Sequence, residues 1–165
     1  MVVIVCGVSG AGKTTVGKLL AQKLDWQFYD ADSFHSAANV EKMKNGIPLT
    51  DEDRQPWLER LRQRIQQCLD ASENCILACS ALKRAYRDHL RVNEEVKLVF
   101  LRASRARISE HLQQRHGHFM NPALLDSQFK DLEEPKPEED ICVIDIEGTA
   151  ADVAELIQTK MRLHA

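Results

Sequence analysis

The most informative motif of this chain is Gly7-Val8-Ser9-Gly10-Ala11-Gly12-Lys13-Thr14. It matches the pattern GxxxxGK[ST], in which glycines let the backbone turn sharply so that its N–H groups can surround phosphate oxygens. The apolar run at residues 2–6 precedes it, and apolar residues from Val16 to Leu24 follow it with the spacing of one helix face. A loop between a buried strand and a helix N-terminus predicts a binding site for the phosphates of a nucleotide.

Short apolar runs alternate with longer amphipathic segments along the rest of the chain. Strands are predicted at residues 2–6, 27–29, 75–79, 96–101 and 141–145, and residues 153–161 repeat the helical spacing. The first and fourth strands are apolar without alternation, so we expect helices to cover both of their faces. The sequence therefore predicts an α/β fold of three layers around a five-stranded parallel sheet.

Length and composition predict a single domain over residues 1–165. Hydrophobic residues make up 44% of the chain and charged residues 28%, which is typical of globular proteins. No apolar run is long enough for a membrane span or a signal-peptide core, and a net charge of −3 favours neither nucleic acid nor a membrane as a partner. Five cysteines, several within apolar runs, indicate free thiols and a cytoplasmic location.

Local signals mark the helix ends. Ser36 is expected to cap a helix that Gly46 terminates, Thr50 with Asp53 resembles a capping box, and Ser104 is expected to cap the helix after the fourth strand. Residues 133–140 contain two prolines and five acids, so we expect a surface connection there.

The phosphate loop alone does not distinguish a small-molecule kinase from a GTPase or a motor. The chain has no NKxD guanine motif and is too short for a large ATPase. Lys13 is expected to reach the β- and γ-phosphates of ATP, and the Thr14 hydroxyl to join the Mg²⁺ ligands. These observations favour a compact ATP-dependent kinase. Its predicted nucleotide-binding residues are Gly7, Ser9, Gly10, Ala11, Gly12, Lys13, Thr14 and Thr15.

Beyond the phosphate loop, a series of segments carries a more specific pattern. In chain order they include Phe28-Tyr29-Asp30-Ala31-Asp32-Ser33-Phe34-His35, Lys42-Met43, Gly46-Ile47-Pro48-Leu49, Pro56-Trp57-Leu58, Cys79-Ser80-Ala81-Leu82-Lys83, Tyr86-Arg87-Asp88, Gly117-His118-Phe119-Met120 and Gln128-Phe129. This pattern resembles the P-loop gluconokinases and spans nearly the whole chain. The resemblance implies transfer of the γ-phosphoryl group of ATP to the 6-hydroxyl of D-gluconate, giving 6-phosphogluconate and ADP.

Two aspartates follow the second predicted strand. Asp32 lies at the carboxyl edge of the sheet, where ligands of open α/β folds bind, and we expect its carboxylate to accept the proton of the attacking hydroxyl or to orient that hydroxyl. Asp30 is placed by the resemblance to hold a Mg²⁺-bound water, so Thr14 and Asp30 are the predicted metal residues.

The expected substrate also carries a carboxylate, for which a guanidinium is the natural partner. Arg54 and Arg87 are therefore predicted to bind this carboxylate, with Lys83 as a supporting charge. His35 is expected to hydrogen-bond a sugar hydroxyl, and His118 completes the predicted substrate-binding residues.

The resemblance also implies a mobile lid at about residues 115–125. Arg115 in this segment is expected to bring positive charge to the transferring phosphoryl group as a catalytic residue. The chain departs from the family pattern at His111, where an arginine is usual. A neutral imidazole lacks the fixed charge of a guanidinium, so the departure predicts weaker nucleotide binding or slower turnover.

Three functions are consistent with the sequence. The first is a gluconokinase, and the second is another small-molecule P-loop kinase such as a shikimate kinase, which also carries paired aspartates after strand two. The third, prompted by His111, is a nucleotide-binding protein that has lost turnover. The resemblance further raises a homodimer as an expectation.

Overall fold

The computed structural model describes residues 1–114 and 122–165, and its five strands form one parallel sheet in the order β2-β3-β1-β4-β5. The strands are β1 (Val2–Cys6), β2 (Gln27–Asp30), β3 (Cys75–Ala78), β4 (Val96–Arg102) and β5 (Cys142–Asp145). At the centre of the sheet, Val5 of β1 lies beside Ala78 of β3 on one side and Val99 of β4 on the other. The predicted parallel sheet is confirmed.

Seven α-helices connect or follow these strands in the described ranges. They are α1 (Lys13–Leu24), α2 (Ala37–Lys44), α3 (Asp51–Asp70), α4 (Arg84–Leu90), α5 (Arg105–Gln114), α6 (Pro122–Asp131) and α7 (Ala150–Met161). Two 3₁₀ turns lie at Ala31–Phe34 and Pro137–Glu139. None of the helices in the described ranges combines the length and the apolar composition needed to cross a membrane.

Two hydrophobic clusters lie on opposite faces of the sheet. Val3 and Val5 belong to the cluster that contains buried residues of α1 and α7, whereas Ile4 and Cys6 belong to the cluster built with α3 and α4. Successive side chains of a strand point to opposite faces, so a strand covered on both sides must be apolar throughout. The three-layer α/β fold follows directly from the unbroken apolar run at β1.

The predicted strands are all present, and their bounds differ from the expected ones by a single residue at four ends. β2 continues to Asp30 and β4 to Arg102, while β3 stops at Ala78 and β5 starts at Cys142. Apolar composition reports burial, whereas the end of a strand depends on backbone pairing, and the two boundaries need not coincide.

The helix caps agree with the expectations. Ser36 Oγ accepts a hydrogen bond from the Asn39 backbone N–H at 3.2 Å and caps α2. The Thr50–Asp53 box is complete, with hydrogen bonds of 3.0 and 3.1 Å. Ser104 Oγ accepts from the Arg107 N–H at 3.2 Å at the start of α5. These short polar side chains supply acceptors for N–H groups that lack a partner within the helix.

The expectation of a surface connection at residues 133–140 is wrong at one position. Glu139 is only 4% exposed and forms an ion pair with Arg87. Residues 137–139 form a 3₁₀ turn that carries this carboxylate inward. Composition alone predicted that this acidic segment is exposed to solvent, because an acid is seldom buried unless a specific partner compensates its charge.

The cysteines are free thiols in the structure. Four are buried, and Cys142 is half-buried. Burial raises the pKa of Cys6 to about 12, so this thiol stays protonated at neutral pH and packs as a small apolar group.

Candidate active site

A cavity of about 680 Å³ opens where the strands β1, β2 and β3 end. Residues of the phosphate loop, of the β2 end, of α3 and of α6 line it. The sequence-predicted residues among its lining are Ser9, Gly10, Gly12, Lys13, Thr14, Thr15, Asp30, Asp32, His35 and Arg54. The carboxyl edge of a parallel sheet is the usual ligand site of open α/β folds, as expected from the sequence.

The phosphate loop turns tightly against the sheet. The Gly7 N–H donates to the Ser80 carbonyl at 3.2 Å, and a Cβ on Gly7 would lie 2.9 Å from the carbonyl oxygen of Leu101. Gly12, at φ 88°, takes the N-cap position of α1, and no side chain of the described residues caps this helix. The first-turn N–H groups are therefore left for an anionic ligand, as a phosphate site requires.

Lys13 folds back over the loop that precedes it. Its ammonium donates a hydrogen bond to the Val8 carbonyl at 3.0 Å. Burial lowers the pKa of Lys13, and the nearby carboxylates, Asp32 foremost, oppose this effect. The cation is thus held in the cavity between the phosphate loop and the β2 end, which is the position that its predicted role demands.

Thr14 and Asp30 meet at one corner of the cavity. The Thr14 hydroxyl donates to Asp30 Oδ2 at 2.8 Å, and Asp30 Oδ1 accepts the Asp32 backbone N–H at 3.0 Å. The Asp32 side chain is exposed at the cavity. Hydroxyl and carboxylate oxygens are the hard donors that Mg²⁺ prefers, so this pair fits the metal. Metal binding by Thr14 and Asp30 stays a prediction.

His35 is fixed by an aromatic stack. Its ring lies 4.4 Å from that of Trp57, with 10° between the ring planes, and Trp57 Nε1 donates to the Ala31 carbonyl at 2.7 Å. Burial, reinforced by the positive charges of Arg54 and Arg60, lowers the pKa of His35 to about 4. His35 Nδ1 is buried and has no hydrogen-bond partner among the described residues. A neutral imidazole on the cavity wall can therefore hydrogen-bond a hydroxyl group.

Arg54 lines the cavity and stands at the centre of a polar network. Its Nη1 donates to the Tyr86 hydroxyl and to Asp131 Oδ2, each at 3.2 Å. Tyr86 in turn donates to Asp51, which also accepts from the Lys83 ammonium at 2.9 Å. Asp51 also lies 4.0 Å from Arg54 Nη1, so Lys83 is connected to Arg54 through Asp51, and it does not line the cavity.

The prediction that Arg87 binds substrate is wrong. Its side chain is 1% exposed and donates to both carboxylate oxygens of Glu139, at 2.8 and 3.0 Å. Nη1 also donates to the carbonyls of Ala81 and Leu82. Burial alone would raise the pKa of Glu139, yet hydrogen bonds from Arg87 and the Lys136 backbone hold it below its ordinary value. The side chain of Arg87 therefore connects α4 to the turn before β5.

Two residues of α6 contribute contacts to which the sequence analysis assigned no role. Gln128 Oε1 accepts the Ser9 N–H at 2.7 Å, Gln128 Nε2 donates to Ser9 Oγ at 2.8 Å, and Asp131 binds Arg54. Leu124 and Ser127 line the cavity from the same face of α6. The i, i+3, i+4, i+7 spacing of these four positions was the available signal, but it does not reveal what lies opposite the helix.

α5 packs against the phosphate loop at His111, the position where this chain departs from the family pattern. His111 Nδ1 lies 3.3 Å from the Gly10 carbonyl, and Ile108 and Leu112 lie against Gly10. The lid is predicted at about residues 115–125. Positions 115–121, which include Arg115 and His118, lie outside the described residues. α6 begins at Pro122. The effect of His111 on nucleotide binding stays a prediction.

The chain is similar to known kinases in sequence and in structure. The family described as "Shikimate kinase" matches residues 9–159. A thermosensitive gluconokinase of Escherichia coli K12 is 46% identical over 154 residues, covering 92% of this chain and 82% of that protein. The crystal structure of a gluconokinase from Sinorhizobium meliloti 1021 has a TM-score of 0.83 and 39% identity, covering 93% of this chain and 86% of that one.

Shikimate kinases themselves share the fold at lower similarity. The enzyme from Acinetobacter baumannii, solved with shikimate, has a TM-score of 0.59 and 20% identity, with 98% of this chain and 93% of that chain covered. Since the gluconokinases match at about twice this identity across most of both chains, the chain belongs to the shikimate kinase family of P-loop proteins and, within it, to the gluconokinases.

Proposed function

We propose that this protein is an ATP-dependent gluconokinase, which phosphorylates the 6-hydroxyl of D-gluconate to give 6-phosphogluconate and ADP. The observation that carries the proposal is that a phosphate loop and Arg54 line one and the same cavity. Asp30 and Asp32 at the β2 end line the same cavity. A site for the phosphoryl donor and a side chain that can bind a carboxylate, both in one cavity, suit an acidic phosphoryl acceptor. The gluconokinase relatives support the same substrate.

The nucleotide half consists of the loop from Gly7 to Thr15. Its backbone N–H groups and the start of α1 bind the phosphates, and Lys13 stabilises the negative charge of the γ-phosphoryl group as it is transferred. Thr14 and Asp30 would hold Mg²⁺, which neutralises phosphate charge when bound. The Thr14–Asp30 hydrogen bond of 2.8 Å keeps these two oxygen donors together.

The acceptor half places three side chains of different chemistry around the sugar acid. Arg54 binds the carboxylate, the neutral His35 hydrogen-bonds a hydroxyl, and Asp32 orients the attacking hydroxyl and accepts its proton. Such a transfer needs little covalent participation by the protein, because positioning and charge stabilisation account for most of the rate enhancement.

The alternative functions receive less support. A shikimate kinase of known structure shares 20% identity with this chain, which shows the fold alone. A nucleotide-binding protein without turnover was prompted by His111, whose ring contacts the Gly10 carbonyl. The same cavity retains Lys13, Thr14, Asp30 and Asp32, the residues that a phosphoryl transfer requires.

Three further expectations stand as part of this proposal: one domain over residues 1–165, a cytoplasmic location and a homodimer. Free thiols are consistent with a reducing compartment. Light scattering coupled to size-exclusion chromatography tests the dimer.

The proposal is tested by measuring ADP release with ATP and Mg²⁺. Acceptors are D-gluconate, shikimate, other sugar acids and none, and Lys13→Ala is the control. We expect turnover with gluconate that depends on Lys13. If folded protein binds ATP but turns over no acceptor, the proposal is wrong, and His111→Arg then tests whether the missing arginine is responsible.

A further inference from the structure

One face of α6 makes polar contacts with both halves of the cavity. Gln128 binds Ser9 of the phosphate loop, and Asp131, three residues later, binds Arg54. Residues three apart are neighbours on a helix surface, so the two contacts come from a single rigid stretch. No other helix in the described ranges is hydrogen-bonded through its side chains to both Ser9 and Arg54.

The contact with the phosphate loop is a two-point clamp. The Ser9 N–H donates to Gln128 Oε1 at 2.7 Å, while Gln128 Nε2 donates to Ser9 Oγ at 2.8 Å. A side-chain amide carries a donor and an acceptor side by side, which suits this arrangement. The clamp therefore fixes both the backbone and the hydroxyl of Ser9, three residues before Gly12, the N-cap of α1.

The contact with the acceptor half is an ion pair. Arg54 Nη1 lies 3.2 Å from Asp131 Oδ2, and the side chains are 15% and 24% exposed. Low exposure limits solvent screening, so this pair holds more firmly than a surface salt bridge. Tyr86 binds the same Nη1, so the guanidinium is anchored through one nitrogen.

We propose that Gln128 and Asp131 are positioning residues, and that α6 links the phosphate loop to Arg54 so that occupancy of one half changes the affinity of the other. The inference rests on the proposed function for its acceptor. A ligand that moves Ser9 must move Gln128 or break the clamp, and a shift of α6 changes the ion pair that orients Arg54. α6 has two anchors, so loss of either one uncouples the two halves.

The test measures equilibrium binding by titration calorimetry. MgADP and D-gluconate are titrated singly and together into the wild type, Gln128→Met and Asp131→Asn. Both substitutions nearly preserve side-chain size, and thermal unfolding confirms that each variant is folded. Lys130→Ala is the matched control, because Lys130 is an exposed residue of the same helix. We expect each ligand to change the affinity for the other about 5-fold or more in the wild type and the control, within the usual range of coupling between sites.

In Gln128→Met and in Asp131→Asn this coupling should fall to within about 2-fold of unity, well below the range typical of coupled sites. Coupling that persists in both variants, or that is absent from the wild type, overturns the proposal. A second arm needs no acceptor, since Asp131→Asn, on the acceptor side, should weaken MgADP binding alone by about 3-fold or more. If the affinity of Asp131→Asn for MgADP is unchanged, the link through α6 is wrong, whether or not gluconate binds. Failure of the proposed function would appear separately, as the absence of gluconate binding to the wild type.

Discussion

At the scale of single residues, the environment of His35 determines which protonation state faces the cavity. The stack on Trp57 and the burial of Nδ1 favour the neutral ring, and the pKa of His35 falls from 6.5 to about 4. In the unfolded chain the imidazole has its ordinary pKa, so between these values the unfolded state binds more protons than the folded state. The neutral ring therefore contributes stability above about pH 6.5, where both states are neutral, and this contribution is lost as the pH falls towards about 4.

The first prediction follows from this sign. His35→Phe keeps an aromatic ring beside Trp57 but cannot titrate. We expect the wild type to lose thermal stability relative to His35→Phe as the pH is lowered from 7 to 4, and the two proteins to differ by a constant amount above pH 7. Melting temperatures measured across this range by circular dichroism check it. Parallel curves down to pH 4 would show that His35 titrates normally in the folded protein.

Asp32 allows a second prediction at the same scale. Its carboxylate lies at the cavity, while its backbone N–H is held by Asp30, so Asp32→Asn should preserve the local structure. An amide cannot accept the hydroxyl proton, and we expect kcat to fall by about 10² to 10⁴, the range for loss of a general base. Steady-state kinetics with both substrates varied measure the effect, and Ser33→Ala, an exposed neighbour outside the cavity lining, is the control. A loss of kcat below about 10-fold would indicate that positioning alone suffices and that Asp32 is not the base.

At the scale of helices and strands, the buried Arg87–Glu139 pair joins α4 to the turn before β5. Removing one partner leaves an uncompensated charge in the interior, which typically costs about 3 to 5 kcal/mol. Arg87→Met and Glu139→Leu should each lower the free energy of unfolding in urea by about this amount, and the double variant Arg87→Met/Glu139→Leu by less than their sum.

The same pair separates a structural arginine from a ligand-binding one. We expect Arg87→Met to leave the KM for gluconate of the folded enzyme unchanged, whereas Arg54→Met should raise it with little loss of stability. The reverse pattern would restore Arg87 as the substrate ligand. Arg54 and Arg87 look alike in sequence because each is the fourth residue of its helix and neither is marked by local hydrophobicity.

What the sequence could predict at this scale depended on distance along the chain. The strands were visible because a strand covered on both faces is apolar throughout, and the caps were visible because cap and capped group lie three residues apart. The partners of the two arginines lie 77 and 52 positions away, at Asp131 and Glu139. No local pattern specifies such pairs, since they depend on how α3, α4 and α6 pack.

At the scale of the whole molecule, the sequence predicted individual residues of the cavity lining but not the long-range contacts that hold them. The phosphate loop was predicted because one continuous segment carries its glycines, its lysine and its helix start. The rest of the lining draws on α3, α4 and α6, so the contact of Asp131 with Arg54 and that of Gln128 with Ser9 emerged only from the fold. Such an arrangement makes the two halves separable by experiment.

A crossed stability measurement exploits that separation. A ligand at about 100 times its Kd stabilises the folded state by about 2.7 kcal/mol. For a domain of this size we expect the melting temperature to rise by about 5 to 10 °C with saturating MgADP, and similarly with gluconate. Lys13→Ala should lose most of the shift with MgADP and keep most of that with gluconate. Arg54→Met should lose most of the shift with gluconate, and its shift with MgADP should fall only slightly, since an affinity about 3-fold weaker at about 100 times the Kd removes only a small part of the stabilisation. If gluconate stabilised Arg54→Met as strongly as the wild type, Arg54 would not be the carboxylate-binding residue. If either variant lost both shifts, the site would not consist of two separate parts.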